Sequence, residues 1–179
     1  RRLGMTASNF TNASGWPDPD LYTTARDLAR AALGTIKNFP EFYHYYKEKS
    51  FTYNGIRQAN RNPTLYRKLG ADGLKTGHTR AAGYGLTTSA VRNGRRLVLV
   101  INGLPSAKAR AVESERILDW GFRVFDNYAL FQAGETVTEA QVWMGQQGTV
   151  PLNIRRALIL TLPKNIRRQM KVSVVYEQP

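Results

Sequence analysis

The most regular stretch of the sequence is DGLKTGHTRAAGYGLTTSAVRNGRRLVLVI, residues 72–101. Its alternating and apolar segments predict three strands, over residues 72–79, 82–91 and 97–101. Asn93-Gly94 lies between the last two segments and favours a tight type I′ turn, so we expect these two strands to be antiparallel neighbours. Residues 97–101 are apolar throughout, and we expect this strand to be buried on both faces.

Helical patterns lie on both sides of this stretch. Thr24 and Asp27 have the spacing of a capping box and are followed by apolar residues at helical intervals. A shorter helix is expected after Pro40, while Asn54-Gly55 reads as a break. Ser106 starts a long amphipathic pattern that would cover the hairpin. The predicted fold class is therefore α+β, an antiparallel sheet covered by helices.

The pattern changes near residue 127. From there glycine and proline separate short segments, and residues 171–174 alternate as a strand would. We therefore predict two domains, residues 1–127 with the helices and the sheet, and residues 128–179 as a small β-rich domain.

Composition excludes several classes of protein. The chain has 179 residues, of which 42% are hydrophobic, so it can bury a core and is not disordered. It has no cysteine, which excludes disulfides, thiolate nucleophiles and zinc–sulfur sites. His44 and His78 are too few for a self-contained histidine metal site. We expect neither a metal nor a cofactor.

The chain is strongly basic, with 26 Lys and Arg against 13 Asp and Glu, a net charge of +13. Such a charge favours polyanionic partners, namely nucleic acid, anionic lipid headgroups or acidic cell-wall polymers. The basic residues are spread in pairs, as on an ordinary solvated surface. Aromatic and basic residues are not interleaved along one element, so we expect no nucleic-acid partner.

Lys75-Thr76-Gly77 is the tripeptide with the clearest chemistry. A cation and a hydroxyl on one strand can hold a carboxylate, and a glycine lets a substrate backbone lie close. The alternative is that Lys75 and Thr76 are ordinary strand-surface residues. The imidazole of His78, the next residue, is expected to be a bystander.

The tripeptide is one of several ordered motifs. They are LGM at 3–5, TARDLA at 24–29, PEFY at 40–43, NRN at 60–62, DGLKTGHT at 72–79 and AGY at 82–84. Together they resemble the serine-type D-alanyl-D-alanine carboxypeptidases, the low-molecular-mass penicillin-binding proteins, over essentially the whole chain. The resemblance implies a penicillin-binding protein or β-lactamase-like transpeptidase fold, followed by that family's small second domain.

The resemblance also implies an acyl-transfer reaction. A serine would attack the carbonyl between two D-alanines of a peptidoglycan stem peptide, D-alanine would leave, and water would free the acyl-enzyme. β-Lactams would acylate the same serine. By position, Lys75 would supply positive potential and a proton relay, Thr76 would bind the substrate carboxylate, and the backbone N–H of His78 would be an oxyanion-hole donor.

Two arginines are implied in substrate binding. Arg110 matches the family arginine that helps to bind the terminal carboxylate, a task that suits a forked guanidinium. A surface interaction of Arg110 with Glu113 or Ser114 is the alternative. Arg61 matches a family arginine near the cleft, and an ordinary surface position is its alternative.

Two family elements, Ser-x-x-K and Ser-x-Asn, occur nowhere in the sequence. In the family they precede the segment matched by residues 3–5, so we expect a missing N-terminal part of the same domain, upstream of Arg1, to hold the nucleophile. We expect the family's membrane anchor beyond residues 176–179, and a periplasmic enzyme associated with the inner membrane. Three alternatives stay open: a D,D-endopeptidase, a β-lactamase relative, and a non-catalytic cell-wall-binding protein.

Overall fold

The computed structural model describes residues 2–175, and the chain divides into two compact units, Arg1–Phe122 and Arg123–Pro179. The domain division predicted between residues 127 and 128 stays a prediction. The predictions that concern Arg1 and residues 176–179 lie outside the described residues. Within residues 2–175, no helix has the length and apolar content needed to cross a membrane.

The first unit contains the predicted helices and the predicted sheet. Its helices are α1 (Ala25–Asn38), α2 (Pro40–Tyr43) and α3 (Ala107–Val124), with 3₁₀ turns at His44–Lys47 and Pro63–Tyr66. Its strands are β1 (Ser50–Tyr53), β2 (Ile56–Ala59), β3 (Ala71–Thr79), β4 (Gly83–Arg92) and β5 (Arg95–Leu104). The predicted α+β class is confirmed.

Strands β3, β4 and β5 form one antiparallel sheet with β4 in the centre. Arg92 pairs with Arg95 across the β4–β5 turn. The central residues of that turn, Asn93 and Gly94, have φ of 50° and 75°. Two successive positive φ values define a type I′ turn, so the predicted hairpin is confirmed.

Helices α1 and α3 pack on opposite faces of this sheet. Val98 of β5 packs in a cluster with Ala32 of α1, whereas its neighbour Leu97 packs in a second cluster with Leu118 of α3. Successive strand residues point to opposite faces, so the two helices cover one face each. The sequence predicted that a helix starting at Ser106 covers the hairpin, and α3 does so. Ser106 caps this helix, since its Oγ accepts a hydrogen bond of 3.0 Å from Ala109 N.

The prediction that residues 97–101 are buried on both faces is wrong. All five are only half-buried. Within residues 2–175, β5 pairs with β4 alone, so one of its long sides has no neighbouring strand there. An apolar run alone does not separate an edge strand from a central one.

A second hairpin, β1–β2, was not predicted. Asn54 and Gly55 form its turn, with φ of 48° and 72°, and every residue of both strands is exposed. The dipeptide is the same hairpin signal as Asn93-Gly94. Its two strands are only four residues long and bury no face. Such short exposed strands give only a weak alternation of apolar and polar residues in the sequence.

The second unit consists of short antiparallel pairs. β6 (Phe125–Phe131) pairs with β9 (Leu158–Pro163), and β7 (Thr136–Gln141) pairs with β8 (Thr149–Asn153). A 3₁₀ turn at Arg167–Gln169 follows. This β-rich character agrees with the prediction, but residues 171–174 form no strand, so that prediction is wrong.

Candidate active site

A cleft of about 870 Å³ opens beside β3 in the first unit. Its walls come from the N-terminal loop, the entry to α1, three strands and the first turn of α3. The lining residues are Phe10, Asn12, Ala13, Ser14, Gly15, Leu21, Thr23, Leu28, Arg61, Lys75, Thr76, Gly77, His78, Thr79, Ala82, Gly83, Tyr84, Gly85, Leu86, Thr87, Asn102 and Arg110. Every site residue predicted from the sequence is among them.

The Lys-Thr-Gly tripeptide lies on an edge strand of the sheet, because in the described part of the chain β3 pairs with β4 alone. Lys75 and Gly77 are exposed and Thr76 is half-buried. Lys75 Nζ donates a hydrogen bond of 2.6 Å to the carbonyl oxygen of Thr76. A Cβ added at Gly77 would meet no atom within 4 Å, so this part of the strand faces open space. A ligand backbone can therefore approach β3 closely here.

The side chains of β3 divide between the two faces of the strand. Thr76 is opposite Leu86 of β4, and His78 is opposite Tyr84. Directly opposed residues share a face, so Thr76 and His78 lie on the face that α3 covers. Because side chains alternate along a strand, Lys75 lies on the other face. Its ammonium bends back to donate a hydrogen bond to the Thr76 carbonyl. The cleft therefore wraps around the strand edge.

Arg110 reaches the cleft from the first turn of α3. Its side chain is only 8% exposed, and its guanidinium lies 5.7 Å from the centre of the Tyr84 ring. Tyr84 also contacts the His78 ring, with 4.0 Å between ring centres. Tyr84 thus contacts both Arg110 and His78, and the His78 ring is tilted by 33° against it.

The hydrogen bonding of Arg110 is incomplete within residues 2–175. One Nη donates a long hydrogen bond of 3.4 Å to the Arg61 carbonyl, and the buried Nε has no partner. Burial lowers the pKa of Arg110 from its ordinary value, although Tyr84 acts in the opposite direction. A buried guanidinium without a carboxylate partner is open to an anionic ligand.

The alternative of a surface ion pair between Arg110 and Glu113 is wrong. Glu113 instead pairs with Arg116 one turn further along α3, at 2.7 Å. Residues three apart on a helix are neighbours, and Arg116 is exposed, so it meets Glu113 without entering the core.

The cleft is electropositive. Three of its described lining residues are cationic, namely Arg61, Lys75 and Arg110, and none of them is Asp or Glu. The Arg61 side chain is exposed, so it adds charge at the mouth of the cleft. This arrangement attracts anions and places three donors where a carboxylate could bind.

A buried polar network holds β3 in place. Asn62 Nδ2 and Thr88 Oγ1 each donate a hydrogen bond of 2.7 Å to the carbonyl of Gly73, two residues before Lys75. Asn62 Oδ1 accepts from both the backbone N and the hydroxyl of Thr64, at 3.0 and 2.6 Å. Asn62, Thr64 and Thr88 are at most 1% exposed. The network fixes the backbone from which the tripeptide projects.

Sequence reasoning missed this network. Asn62 before Pro63 is a local turn signal, and Asn62 does cap the short 3₁₀ turn that follows. That signal could have identified Asn62. It could not have identified Thr88, because Thr88 reaches the Gly73 carbonyl only when β3 and β4 pair.

The N-terminal loop of the cleft is held by Asp27. The predicted cap is confirmed in one half, since Thr24 Oγ1 accepts from Asp27 N at 3.2 Å. The Asp27 carboxylate does not return to Thr24; it accepts hydrogen bonds from Ser8 Oγ at 2.7 Å and Ala7 N at 2.9 Å. The Ser8 hydrogen bond, with those from Ala7 and Arg30, lowers the pKa of Asp27, against desolvation.

Comparison with known proteins agrees with this geometry. Residues 1–106 match the D-alanyl-D-alanine carboxypeptidase family, and residues 125–179 match the C-terminal domain of penicillin-binding protein 5. The chain belongs to the D-alanyl-D-alanine carboxypeptidase family.

Family members of known sequence are similar along almost the whole chain. D-alanyl-D-alanine carboxypeptidase DacA of Haemophilus influenzae is 41% identical over 99% of this chain, and DacA of Escherichia coli K12 is 37% identical over 97%. These alignments cover only 45% and 43% of the two relatives, so the chain spans less than half of their length.

Solved structures of the family share the fold. Penicillin-binding protein 5 from Haemophilus influenzae matches with a TM-score of 0.83 and 40% identity, over 93% of this chain and 49% of its own. Penicillin-binding protein D2 from Listeria monocytogenes, solved in an ampicillin-bound form, matches with a TM-score of 0.63 and 30% identity, over 68% of this chain and 51% of its own.

Proposed function

We propose that this chain forms one wall of the active site of a serine-type D-Ala-D-Ala carboxypeptidase. The enzyme removes the terminal D-alanine from peptidoglycan stem peptides. Because the sequence contains no Ser-x-x-K, the nucleophilic serine and its lysine base come from outside these 179 residues.

The reaction proceeds through an acyl-enzyme. The serine oxygen forms a bond to the carbonyl carbon of the penultimate D-alanine and gives its proton to a base. The C–N bond then breaks, and the terminal D-alanine leaves as an amine that takes up a proton. Water attacks the resulting ester and releases the shortened peptide and the serine.

One observation carries the proposal: the Lys75-Thr76 edge strand and Arg110 line one cleft whose described residues include no acid. A peptide that ends in D-Ala-D-Ala has an anionic carboxylate next to the bond that breaks. Thr76 and Arg110 lie toward the same sheet face, so a hydroxyl and a forked guanidinium can grip that carboxylate together.

The remaining residues act on the reacting carbonyl. Lys75 supplies positive potential and takes part in proton relay beside the serine. The backbone N–H of His78 is one of the two oxyanion-hole donors, and such a donor contributes about 3 kcal/mol to transition-state stabilisation in comparable sites. Arg61 strengthens the positive field at the mouth of the cleft.

The same site explains the expected response to β-lactams. A β-lactam carries a carboxylate beside a strained amide, so it fits the same cation and hydroxyl and acylates the same serine. Since the substrate is cell-wall peptidoglycan, we place the enzyme in the periplasm, associated with the inner membrane.

Labelling by a fluorescent penicillin tests this function. In the protein that includes the serine-bearing segment, we expect rapid labelling that Lys75→Ala abolishes or slows at least about tenfold, because the charge beside the serine is lost. Lys37→Ala, at the exposed end of α1 and outside the cleft, serves as the control and should label normally. Normal labelling of the Lys75→Ala protein would refute the role of Lys75.

A further inference from the structure

The hairpin β1–β2 presents an exposed apolar face. Phe51 is opposite Gln58 and Tyr53 is opposite Ile56, so these four side chains lie on the same side of the hairpin. Phe51 is 66% exposed, Tyr53 70% and Ile56 64%. The two aromatic rings are within 13° of parallel, with 6.5 Å between their centres. They form one flat surface that nothing in residues 2–175 covers.

Polar groups border this face. A second cavity of about 410 Å³ is lined by Phe51 and Tyr45 together with Glu48 and Gln58. Neither the Glu48 carboxylate nor the Gln58 amide has a hydrogen-bond partner within residues 2–175. Six of the seven lining residues are exposed, so the cavity is an open depression along which an extended ligand could lie.

The second cavity and the cleft are each lined by one of two consecutive residues. Asn60 lines the second cavity, and the next residue, Arg61, lines the cleft. Consecutive Cα atoms are only about 3.8 Å apart. Both cavities belong to the first unit of the chain. The two cavities are therefore lined by neighbouring residues of one segment.

The chemistry of the hairpin matches a sugar polymer. A pyranose ring has an apolar C–H face that packs on an aromatic ring, and a rim of hydroxyl or acetamido groups that bond to carboxylate and amide side chains. The hairpin and its approach also carry Lys47, Lys49 and Arg57 against the single acid Glu48. This excess of positive charge favours a polymer whose attached groups are anionic.

We propose that the Phe51–Tyr53 face and the adjoining cavity form a subsite for the glycan strand of the substrate, a chain of β-linked N-acetylated amino sugars. The proposal rests on the proposed function, since it assigns the sugar part of the same polymer whose peptide enters the cleft. It predicts that the enzyme recognises glycan-linked peptides better than free ones.

Binding of a defined oligosaccharide tests the subsite directly. The probe is the β-1,4-linked trimer of N-acetylglucosamine, titrated into the full chain by calorimetry. We expect saturable binding whose Kd rises at least about tenfold in Phe51→Ser and in Gln58→Ala, which remove the stacking and hydrogen-bonding groups respectively. Trp143→Ser, which truncates an 87% exposed aromatic in the second unit, is the control and should bind normally.

Folding is monitored separately, because a two-stranded hairpin is marginally stable on its own. Circular dichroism should show the same spectrum for all variants. The Gln58→Ala change removes no apolar contact, so it keeps the test valid even if Phe51→Ser alters the hairpin. No saturable binding of the trimer, or equal binding by the parent protein and both variants, would overturn the subsite.

Hydrolysis separates this proposal from the proposed function. With the serine-bearing segment present, Phe51→Ser should leave the release of D-alanine from a free pentapeptide unchanged and reduce release from glycan-linked pentapeptide. Equal rates on both substrates in the variant would overturn the subsite while leaving the carboxypeptidase intact. Trimer binding without any peptide hydrolysis would instead refute the proposed function alone.

Discussion

Arg110 shows how a single side chain can be prepared for a ligand. It is buried, stacked on Tyr84, and within residues 2–175 its Nε has no acceptor. A buried donor without a partner raises the free energy of the unliganded protein by roughly 1–3 kcal/mol. Binding of a carboxylate would recover this free energy, so the residue favours the liganded state.

We expect Arg110→Lys to weaken carboxylate recognition although the charge is kept, because an ammonium cannot form two parallel hydrogen bonds. The second-order rate of acylation by benzylpenicillin should fall about 10- to 100-fold, as the loss of one charge-assisted hydrogen bond implies. Arg116→Lys, on the exposed side of α3, should react normally. An unchanged rate in Arg110→Lys would contradict carboxylate binding by this residue.

Asn62 acts on the site through the backbone. Asn62→Ala removes a donor to the Gly73 carbonyl and the acceptor for Thr64, all of them buried. We expect a loss of about 2–3 kcal/mol in the free energy of unfolding, since buried groups are left unpaired. Urea denaturation measures the loss, and Asn38→Ala at the exposed end of α1 should cost less than about 0.5 kcal/mol. Similar losses for both variants would show that the network contributes little.

At the scale of elements, the contact between the N-terminal loop and α1 depends on the carboxylate of Asp27, which accepts hydrogen bonds from Ala7 and Ser8. The pKa of Asp27 is lowered below its ordinary value of 3.8 in the folded chain, first by the hydrogen bond from Ser8. A group whose pKa falls on folding stabilises the protein above its unfolded pKa. That stabilisation is lost as the pH falls through the folded pKa.

The midpoint of urea unfolding should therefore fall as the pH is lowered from about 5 towards 3. In Asp27→Asn this decline should be smaller, because the titrating group is gone and an amide still accepts from Ser8. The parent protein and the variant are compared at each pH by circular dichroism. Parallel curves for the two proteins would rule out Asp27 as a contributor to the acid sensitivity.

Local patterns account for most of the elements that the sequence predicted. The Thr24 cap, the Asn93-Gly94 turn and the start of α3 after Ser106 depend on neighbours a few residues away, and all three are confirmed. The half-burial of residues 97–101 depends on which strands lie beside β5, which no local pattern contains. The β1–β2 hairpin was missed because its apolar residues stay exposed, so no buried face supports the signal.

The same division holds for the site. Lys75, Thr76, Gly77 and His78 form a contiguous motif, so the sequence could place them in one group. Arg110 entered only through the family resemblance, because its distance along the chain gives no reason to place it beside Tyr84. The unpaired Nε is a property of packing and could not be predicted at all.

At the scale of the whole molecule, charge is the dominant feature. The chain has a net charge of +13, and the described lining of the cleft contains three cations and no acid. Such a field attracts anionic ligands over distances comparable to the Debye length, which shrinks from about 30 Å at 0.01 M salt to about 10 Å at 0.1 M.

Acylation by an anionic penicillin should therefore slow as sodium chloride is raised from about 0.01 M to about 0.5 M. The uncharged methyl ester of the same penicillin should show a much smaller change, and it controls for effects of salt on the protein itself. The measurement is the second-order acylation rate at each salt concentration. A salt dependence equal for acid and ester would show that long-range attraction has no part in ligand capture.

The contact between Lys75 Nζ and the carbonyl of Thr76 has one last consequence. Within residues 2–175, the ammonium of Lys75 is hydrogen-bonded to its own strand and forms no ion pair with an acid. No ion pair of the described residues therefore has to break before the side chain turns toward a ligand. Its reorientation is then a rotamer change of one exposed side chain, which takes picoseconds to nanoseconds. We therefore expect that no slow step of the proposed reaction comes from the turning of this side chain.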